Sequence, residues 1–360
     1  MWLDVLRFLL GLVALILGAE SLVRGASRLA ISFGVSPLVV GLTIVAFGTS
    51  SPEIAVSVGA ALDGKTDLAV GNVVGSNIFN VLFILGASAL VTPLVVHSQL
   101  VRQEVPIMIG AAVILLVMVL DGRLARYEAL LLATLAVTYT VYLIVQSRRE
   151  SDAVNAEFAS ASGSGGRWMT KTPAQILLII VGLAMLVAGS HWLVSASVAF
   201  AQALGVSDVV IGLTIVAAGT SMPEVATSLT AALRGERDIA VGNVVGSNTF
   251  NVLGCLGLAG VVAPEGLPVP PSVLNFDLWV MIAVALTCVP VFASGREIAR
   301  WEGAVLFAYY FAYAGYLVLD ARGHDALDEY SAAMMSFVLP LTIVAIVAAY
   351  VRTPRARPRE

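Results

Sequence analysis

Residues 34–80 recur without a gap at residues 205–251, 171 positions later, with 33 identities in 47 aligned positions. The shared core reads GLTIVAFGTSSPE and GNVVGSNIFN in the first copy, and GLTIVAAGTSMPE and GNVVGSNTFN in the second. Each copy sets one glutamate, Glu53 or Glu224, inside an otherwise apolar stretch that holds no lysine or arginine. An acid in such a stretch is costly and marks a functional site, so bound cations or protons must balance the charge. Two acids in duplicated settings point to one shared cation site built from two related halves.

Composition fixes the surroundings. Of 360 residues, 59% are hydrophobic and 12% are charged, and the mean hydropathy is +0.93. A soluble fold of this length could not hide so much apolar surface, so the chain reads as an all-α polytopic membrane protein whose main surroundings are lipid. Helices are required, because open strands would leave backbone groups unpaired in lipid. The net charge of −4 says little beside the distribution of basic residues. The first apolar run, from Trp2 to Leu22, has no small-residue cleavage site and is long enough to span. Cys255 and Cys288 lie in apolar segments and read as packing residues; neither CxxC nor a zinc-ligand spacing occurs.

Eleven candidate spans follow from hydropathy: 3–22, 36–61, 68–91, 104–120, 126–146, 174–200, 207–232, 239–263, 275–293, 300–319 and 333–351. They divide the chain into a first five-helix repeat (1–146, motif 34–80), a linker (147–172), a second five-helix repeat (173–320, motif 205–251), and an eleventh helix with a basic tail (321–360). The linker is rich in Ser, Gly, Ala and charge and reads as a mobile cytoplasmic loop. With the amino terminus outside, fifteen of the twenty Lys and Arg residues fall in loops or tail on the cytoplasmic side, leaving Arg7, Lys65, Arg123, Arg126 and Arg322 opposite. That bias places the carboxyl terminus in the cytoplasm. Because five spans separate equivalent positions, the second repeat runs through the membrane in the opposite sense to the first. Ten core helices in two inverted repeats then make one site reachable from either side in mirror-related states.

The motifs suit a hard cation. Pro52 and Pro223 each remove a backbone donor and disturb the preceding turn, freeing carbonyls around Ala46–Thr49 and Ala217–Thr220, where Gly48 and Gly219 let the chain bend. Thr49, Ser50, Thr220 and Ser221 add hydroxyls, and Glu53 and Glu224 add carboxylates. The neighbouring helices bring Ser76, Asn77, Asn80, Ser247, Asn248 and Asn251. Calcium takes several oxygen ligands in a flexible arrangement, and no histidine or thiolate is offered. Gly71, Gly75, Gly242 and Gly246 serve close helix packing. Asn77 and Asn248 are equally well read as bridges between helices.

These paired motifs, GLTIVAFGTSSPE with GNVVGSNIFN and GLTIVAAGTSMPE with GNVVGSNTFN, resemble those of the cation/calcium antiporter superfamily, in particular its prokaryotic sodium/calcium exchangers. The resemblance covers residues 1 to about 320. Proton/calcium exchangers of the superfamily carry a glutamate after GNxxE, which this chain lacks. The resemblance implies ten core helices, a central site between helices 2, 3, 7 and 8, no cofactor, and exchange of the transported ions Na+ and Ca2+. By matching position, Glu53 and Glu224 would be shared by calcium and sodium, and Thr49 and Thr220 would give backbone oxygen to calcium. Ala46, Ser50 and Ser76, with Ala217, Ser221 and Ser247, would line flanking sodium sites, and Asn80 and Asn251 would finish the centre. Some relatives, potassium-dependent ones included, have Asp where this chain has Asn251, so the amide implies potassium-independent exchange. Three sodium ions against one calcium on two carboxylates would leave one positive charge, hence electrogenic transport in the inner membrane.

Gly11 and Gly18 recur as Gly182 and Gly189, giving helices 1 and 6 smooth stripes that suit either a sliding element or ordinary close packing. Glu20 aligns with His191 near the helix ends, and both read as interfacial. Tyr309, Tyr310, Tyr313 and Tyr316 read as an interface belt and packing cluster. An enzyme is disfavoured: GTSSP is not GxSxG, HExxH is absent, and His97, His191 and His324 lie away from the motifs. A cation channel would use similar oxygens, but around an axis along its pore. Proton/calcium antiport is the nearer alternative, since a carboxylate can carry a proton. Nothing in the chain signals a nucleic-acid or obligatory protein partner.

Overall fold

A computed structural model describes residues 2–33, 35–158, 172–203, 217–321, 323–324, 326–340 and 343. The first half holds α1 (Trp2–Phe33), the broken helix α2 (Pro37–Thr49 then Ser51–Leu62), α3 (Thr66–Val91), α4 (Leu100–Met118) and α5 (Arg126–Phe158). The second holds α6 (Thr172–Ala203), the described parts of α7 (Ala217–Gly219 and Met222–Leu233), α8 (Arg237–Val262), α9 (Val273–Ala293) and α10 (Arg300–Ala321). A further helix, α11, begins at Ala326–Ala333 and continues as a π-helical turn over Met334–Val338. Among the described residues, eight helices are long and apolar enough to cross a bilayer, or nine with the bent α2 as one span. The seventh expected span begins, and the eleventh ends, outside the described residues, as does the basic tail.

One expected boundary moves. The linker reads as loop from residue 147, yet α5 runs on to Phe158. Half of the segment SRRESDAVNAEF is Arg, Glu or Ala, all good helix formers, and the first glycine after it comes only at Gly163. The rest of the linker, 159–171, lies outside the described residues.

Composition dictates the break in α2. Pro52 sits at the start of the second piece, where its missing N–H costs nothing. Ser50 leaves helical geometry at φ −78°, ψ 5°, and the axis turns by 44°. Ser221 repeats this before Pro223 at φ −86°, ψ 9°. Helices α3 and α8 each pass into a π-helical turn that starts at the motif's last asparagine, Asn80–Leu85 and Asn251–Leu256. Such turns bend a helix locally and recur at functional positions.

The halves contact each other reciprocally, as a twofold axis requires. The two-residue strands β1 (Leu94–Val95) and β4 (Glu297–Ile298) pair antiparallel, as do β2 (Arg123–Leu124) and β3 (Leu267–Pro268). Each pair joins one half to the other. Along α1 and α6, a Cβ added at Gly11 would lie 2.8 Å from the Gly189 carbonyl, and one added at Gly189 would lie 2.9 Å from the Gly11 carbonyl. Gly18 and Gly182 meet in the same crossed way, at 2.9 and 2.8 Å. Only bare backbone fits there, which is why the stripe is glycine. Gly242 and Gly246 similarly seat α8 against Leu38 and Leu42 of α2.

Candidate cation site

The two glutamates are fully buried, each in the first turn of the piece that follows a helix break. Each is held by the serine of the opposite break. Ser50 Oγ donates to Glu224 Oε1 at 3.1 Å, and Ser221 Oγ donates to Glu53 Oε1 at 2.9 Å. Ser76 Oγ stands 3.2 Å from Ser221 Oγ, bringing α3 to the same place. The other carboxylate oxygens, Glu53 Oε2 and Glu224 Oε2, are buried with no protein hydrogen-bond partner. No lysine or arginine forms an ion pair with either glutamate among the described residues; the pairs found are Arg7–Asp4, Arg24–Glu20, Arg123–Asp121 and Arg234–Glu20. Two enclosed carboxylates with one oxygen each left over are a strong claim on an external cation.

The amides frame this pair. Asn77 Nδ2 donates to the Asn248 carbonyl at 3.2 Å and Asn248 Nδ2 to the Asn77 carbonyl at 3.3 Å, clamping α3 to α8. The bridging reading of these two residues therefore holds. Asn80 Nδ2 reaches Asn248 Oδ1 at 3.0 Å, leaving Asn80 Oδ1 and Asn77 Oδ1 without a partner. Asn251 accepts from Cys255 Sγ at 3.5 Å, and its own Nδ2 has no partner; nor has the buried Ser247 Oγ. The unpartnered acceptors are carboxylate, amide and hydroxyl oxygens, the donor chemistry of a hard cation.

The threonines lead to residues that the motif reading passed over. Thr49 Oγ1 donates to Asn243 Oδ1 at 3.1 Å, and Thr220 Oγ1 to Asn72 Oδ1 at 3.3 Å. Each asparagine in turn donates to a serine, Asn243 to Ser228 at 2.9 Å and Asn72 to Ser57 at 3.0 Å. These chains fix the hydroxyls beside the breaks. Their signal was in the repeat: both asparagines follow the first glycine of GNVVGSN, and both serines lie four residues after a motif glutamate.

The expected carbonyls need one refinement. Ala46 O accepts from Ser50 N at 3.0 Å, and the Thr49 hydroxyl, whose one proton goes to Asn243 at the shorter distance, lies 3.3 Å away, so one lone pair of this carbonyl stays open. The carbonyl four residues before Pro223 is that of Gly219, and it takes the Ser190 hydroxyl of α6 at 2.6 Å. Ala217 stands at the first described position of α7, and its side chain lies outside the description. A further buried acid escaped the motif search: Glu104 of α4 accepts from Gln99, Gln103 and Tyr139 at 2.9, 2.7 and 2.7 Å. The second half repeats the device with Tyr313 donating to Asp277 at 2.7 Å. These acids tie α4 to α5 and α9 to α10.

Comparison with known proteins gives this geometry a lineage. The family model described as "Sodium/calcium exchanger protein" matches residues 3–145 and 174–319, the two halves without the linker. The chain belongs to the sodium/calcium exchanger family. It is 38% identical to the putative antiporter CaxA of Alkalimonas amylolytica over 310 residues, covering 85% of this chain and 95% of that one. Its identity to the sodium/calcium exchanger MaX1 of Methanosarcina acetivorans is 36%, over 86% of this chain and 96% of the other. An inner membrane protein of Escherichia coli, YrbG, is 36% identical over 77% of this chain and 85% of its own. The solved sodium–calcium exchanger NCX_Mj superposes with a TM-score of 0.73 at 31% identity, over 87% of this chain and 98% of that chain. This is therefore a multi-pass membrane antiporter of the cation/calcium class, with transported ions as cargo rather than resident cofactors. Of these relatives, those whose names state an activity are antiporters or exchangers.

Proposed function

We propose that this exchanger moves sodium against calcium by alternating access, with Glu53 and Glu224 as the shared cation ligands. The observation that carries the reading is the crossed pair of serine bonds, which presents two buried carboxylates to one place with one oxygen of each left over. Calcium neutralises both charges at once. Thr49 and Thr220 add backbone oxygen, and Asn80 and Asn251 complete the centre. Ala46, Ser50, Ser76, Ala217, Ser221 and Ser247 line the flanking sodium positions. Three sodium ions in place of one calcium leave one surplus positive charge, so the cycle is electrogenic. The neutral amide at Asn251 offers no extra charge for potassium, and exchange runs without it.

The reciprocal contacts support an axis in the membrane plane, relating residues 1–146 to 173–320, with the amino terminus outside and the linker and carboxyl terminus in the cytoplasm. A site on such an axis opens to either side by equivalent motions. The test is radioactive calcium uptake into proteoliposomes loaded with sodium, potassium or acid. The reading expects uptake only with an outward sodium gradient, unaffected by potassium and stimulated by a membrane potential that is positive inside. Uptake driven by the proton gradient alone would replace it with proton/calcium antiport.

A further inference from the structure

One apolar groove has a lining that says what belongs in it. It has a volume of about 660 Å³ and lies between α2, α5 and α8, with the end of α1 at its rim. Ile44, Phe47, Val137, Val141 and Ile144 open it onto the outer wall of the molecule, where all five are exposed. Among the described residues its only polar side chains are Thr43 and Thr140. Both hydroxyls are already spent on the preceding turn, Thr43 on the Val39 carbonyl at 2.6 Å and Thr140 on the Ala136 carbonyl at 2.8 Å. Neither hydroxyl has a proton left to donate, so the groove offers a charged ligand nothing to balance it and a polar one at most a weak acceptor.

The symmetry-related contact of α3 with α10 is filled by aromatic side chains. Close backbone contacts fix the correspondence: Gly257 of α8 meets Ala133 of α5, and Gly86 of α3 meets Phe307 of α10. Gly254, Ala133, Ala136 and Val137 of the groove thus correspond to Phe83, Phe307, Tyr310 and Phe311. Those four rings pack on one another, with Phe83 at 4.9 Å from Phe307, 5.3 Å from Tyr310 and 6.3 Å from Phe311. Where the α3–α10 contact carries four aromatic side chains, the α8–α5 contact has a glycine, two alanines and a valine. The fold keeps the helix spacing and omits the filling.

The geometry points to an acyl chain of a membrane lipid as the occupant of this groove, taking the volume that the aromatic cluster takes at the α3–α10 contact. The groove is continuous with the lipid-facing wall, so the hydrocarbon enters sideways while its headgroup stays at the surface. Phe250 at the groove floor meets Phe47 edge-on at 5.9 Å, and Phe47 directly precedes Gly48 and Thr49. The bound chain therefore packs against the broken piece of α2 that carries the cation ligands. This inference stands on packing alone and is independent of which ion drives exchange.

The test uses the full chain in vesicles of phosphatidylethanolamine and phosphatidylglycerol doped with a phospholipid carrying a photoreactive group on its acyl chain. Cross-links are mapped by peptide mass spectrometry. Labelling is expected to concentrate on α5 and α8 around residues 133–144 and 250–258, several-fold above the equivalent surface of α3 and α10. Gly254→Phe copies Phe83 of α3, and it fits because an added Cβ there meets only Phe250, at 3.6 Å. It should cut the labelling several-fold. Val137→Phe, on the exposed wall, gives a second filling variant should the first fold poorly. Phe83→Gly should create a new labelled site on α3 and α10. Equal labelling of the α5–α8 and α3–α10 surfaces, or labelling of the groove unchanged by either filling variant, would overturn the inference.

Discussion

In the first half Ser50 reaches across to Glu224, and in the second Ser221 reaches back to Glu53, at nearly equal distances of 3.1 and 2.9 Å. The glycine stripes, the strand pairs and the Asn77–Asn248 clamp show the same reciprocity. One layer out, the halves part. Ser221 has Ser76 beside it while Ser247 has no partner, and Asn80 meets Asn248 while the Asn251 amide nitrogen meets no acceptor. Ser190 caps the Gly219 carbonyl, whereas the equivalent of Ser190 in α1 is Ala19. The two carboxylates are held by matched bonds, while the layer that supports them differs between the halves.

Several substitutions break or sharpen that comparison. The largest effects belong to the matched layer. Ser50→Ala and Ser221→Ala each remove a bond to a carboxylate, worth about 1.5–3 kcal/mol. Apparent cation affinity should fall by roughly ten- to a hundredfold in both, and to a similar degree. A large loss in one and none in the other, read from calcium dependence of exchange, would show that the serines are not equivalent. Next come the stripes. Gly18→Ala and Gly182→Ala each put a methyl within 3 Å of opposing backbone, an overpacking cost of about 1–3 kcal/mol. Both should lower thermal stability and slow exchange, whereas Gly110→Ala, with open space around it, should do neither.

Smaller effects test the unmatched layer. Ser190→Ala removes one neutral hydrogen bond, about 0.5–1.5 kcal/mol. It should shift the apparent affinity measured from one membrane face more than from the other, while Ala19→Ser should move the balance the opposite way. Equal shifts on both faces would deny Ser190 a part in the asymmetry. The smallest effect is expected at Arg234, which pairs with Glu20 near the surface. Arg234→Ala should cost less than about 1 kcal/mol of stability, and that cost should fade in high salt.

Much of this was legible because membrane sequence is permissive only in apolar positions. Glu53 and Glu224 could not be read as surface acids, and Pro52 and Pro223 announced the helix breaks where they occur. What stayed hidden depended on packing between distant segments. Nothing local says that Ser50 serves Glu224 rather than Glu53, because that choice is made by how the halves cross. Asn72 and Asn243 looked like part of a glycine-rich packing motif until the threonines opposite came into view. The strands are two residues long, too short for alternation to register. Glu104 stood at the expected mouth of a span, where an acid is unremarkable, and only the three donors around it show that it is buried. The continuation of α5 beyond residue 147 was masked by polar composition, which suits an exposed helix as well as a loop.

The measurement that bears most directly on the two-carboxylate site is sodium-dependent calcium exchange by Glu53→Gln and Glu224→Gln, side by side in proteoliposomes with folding checked by size-exclusion profile. Each substitution keeps the shape and removes one of the two buried charges. The account predicts that both variants fold and both lose calcium exchange. Calcium exchange at wild-type rates in either variant would contradict it.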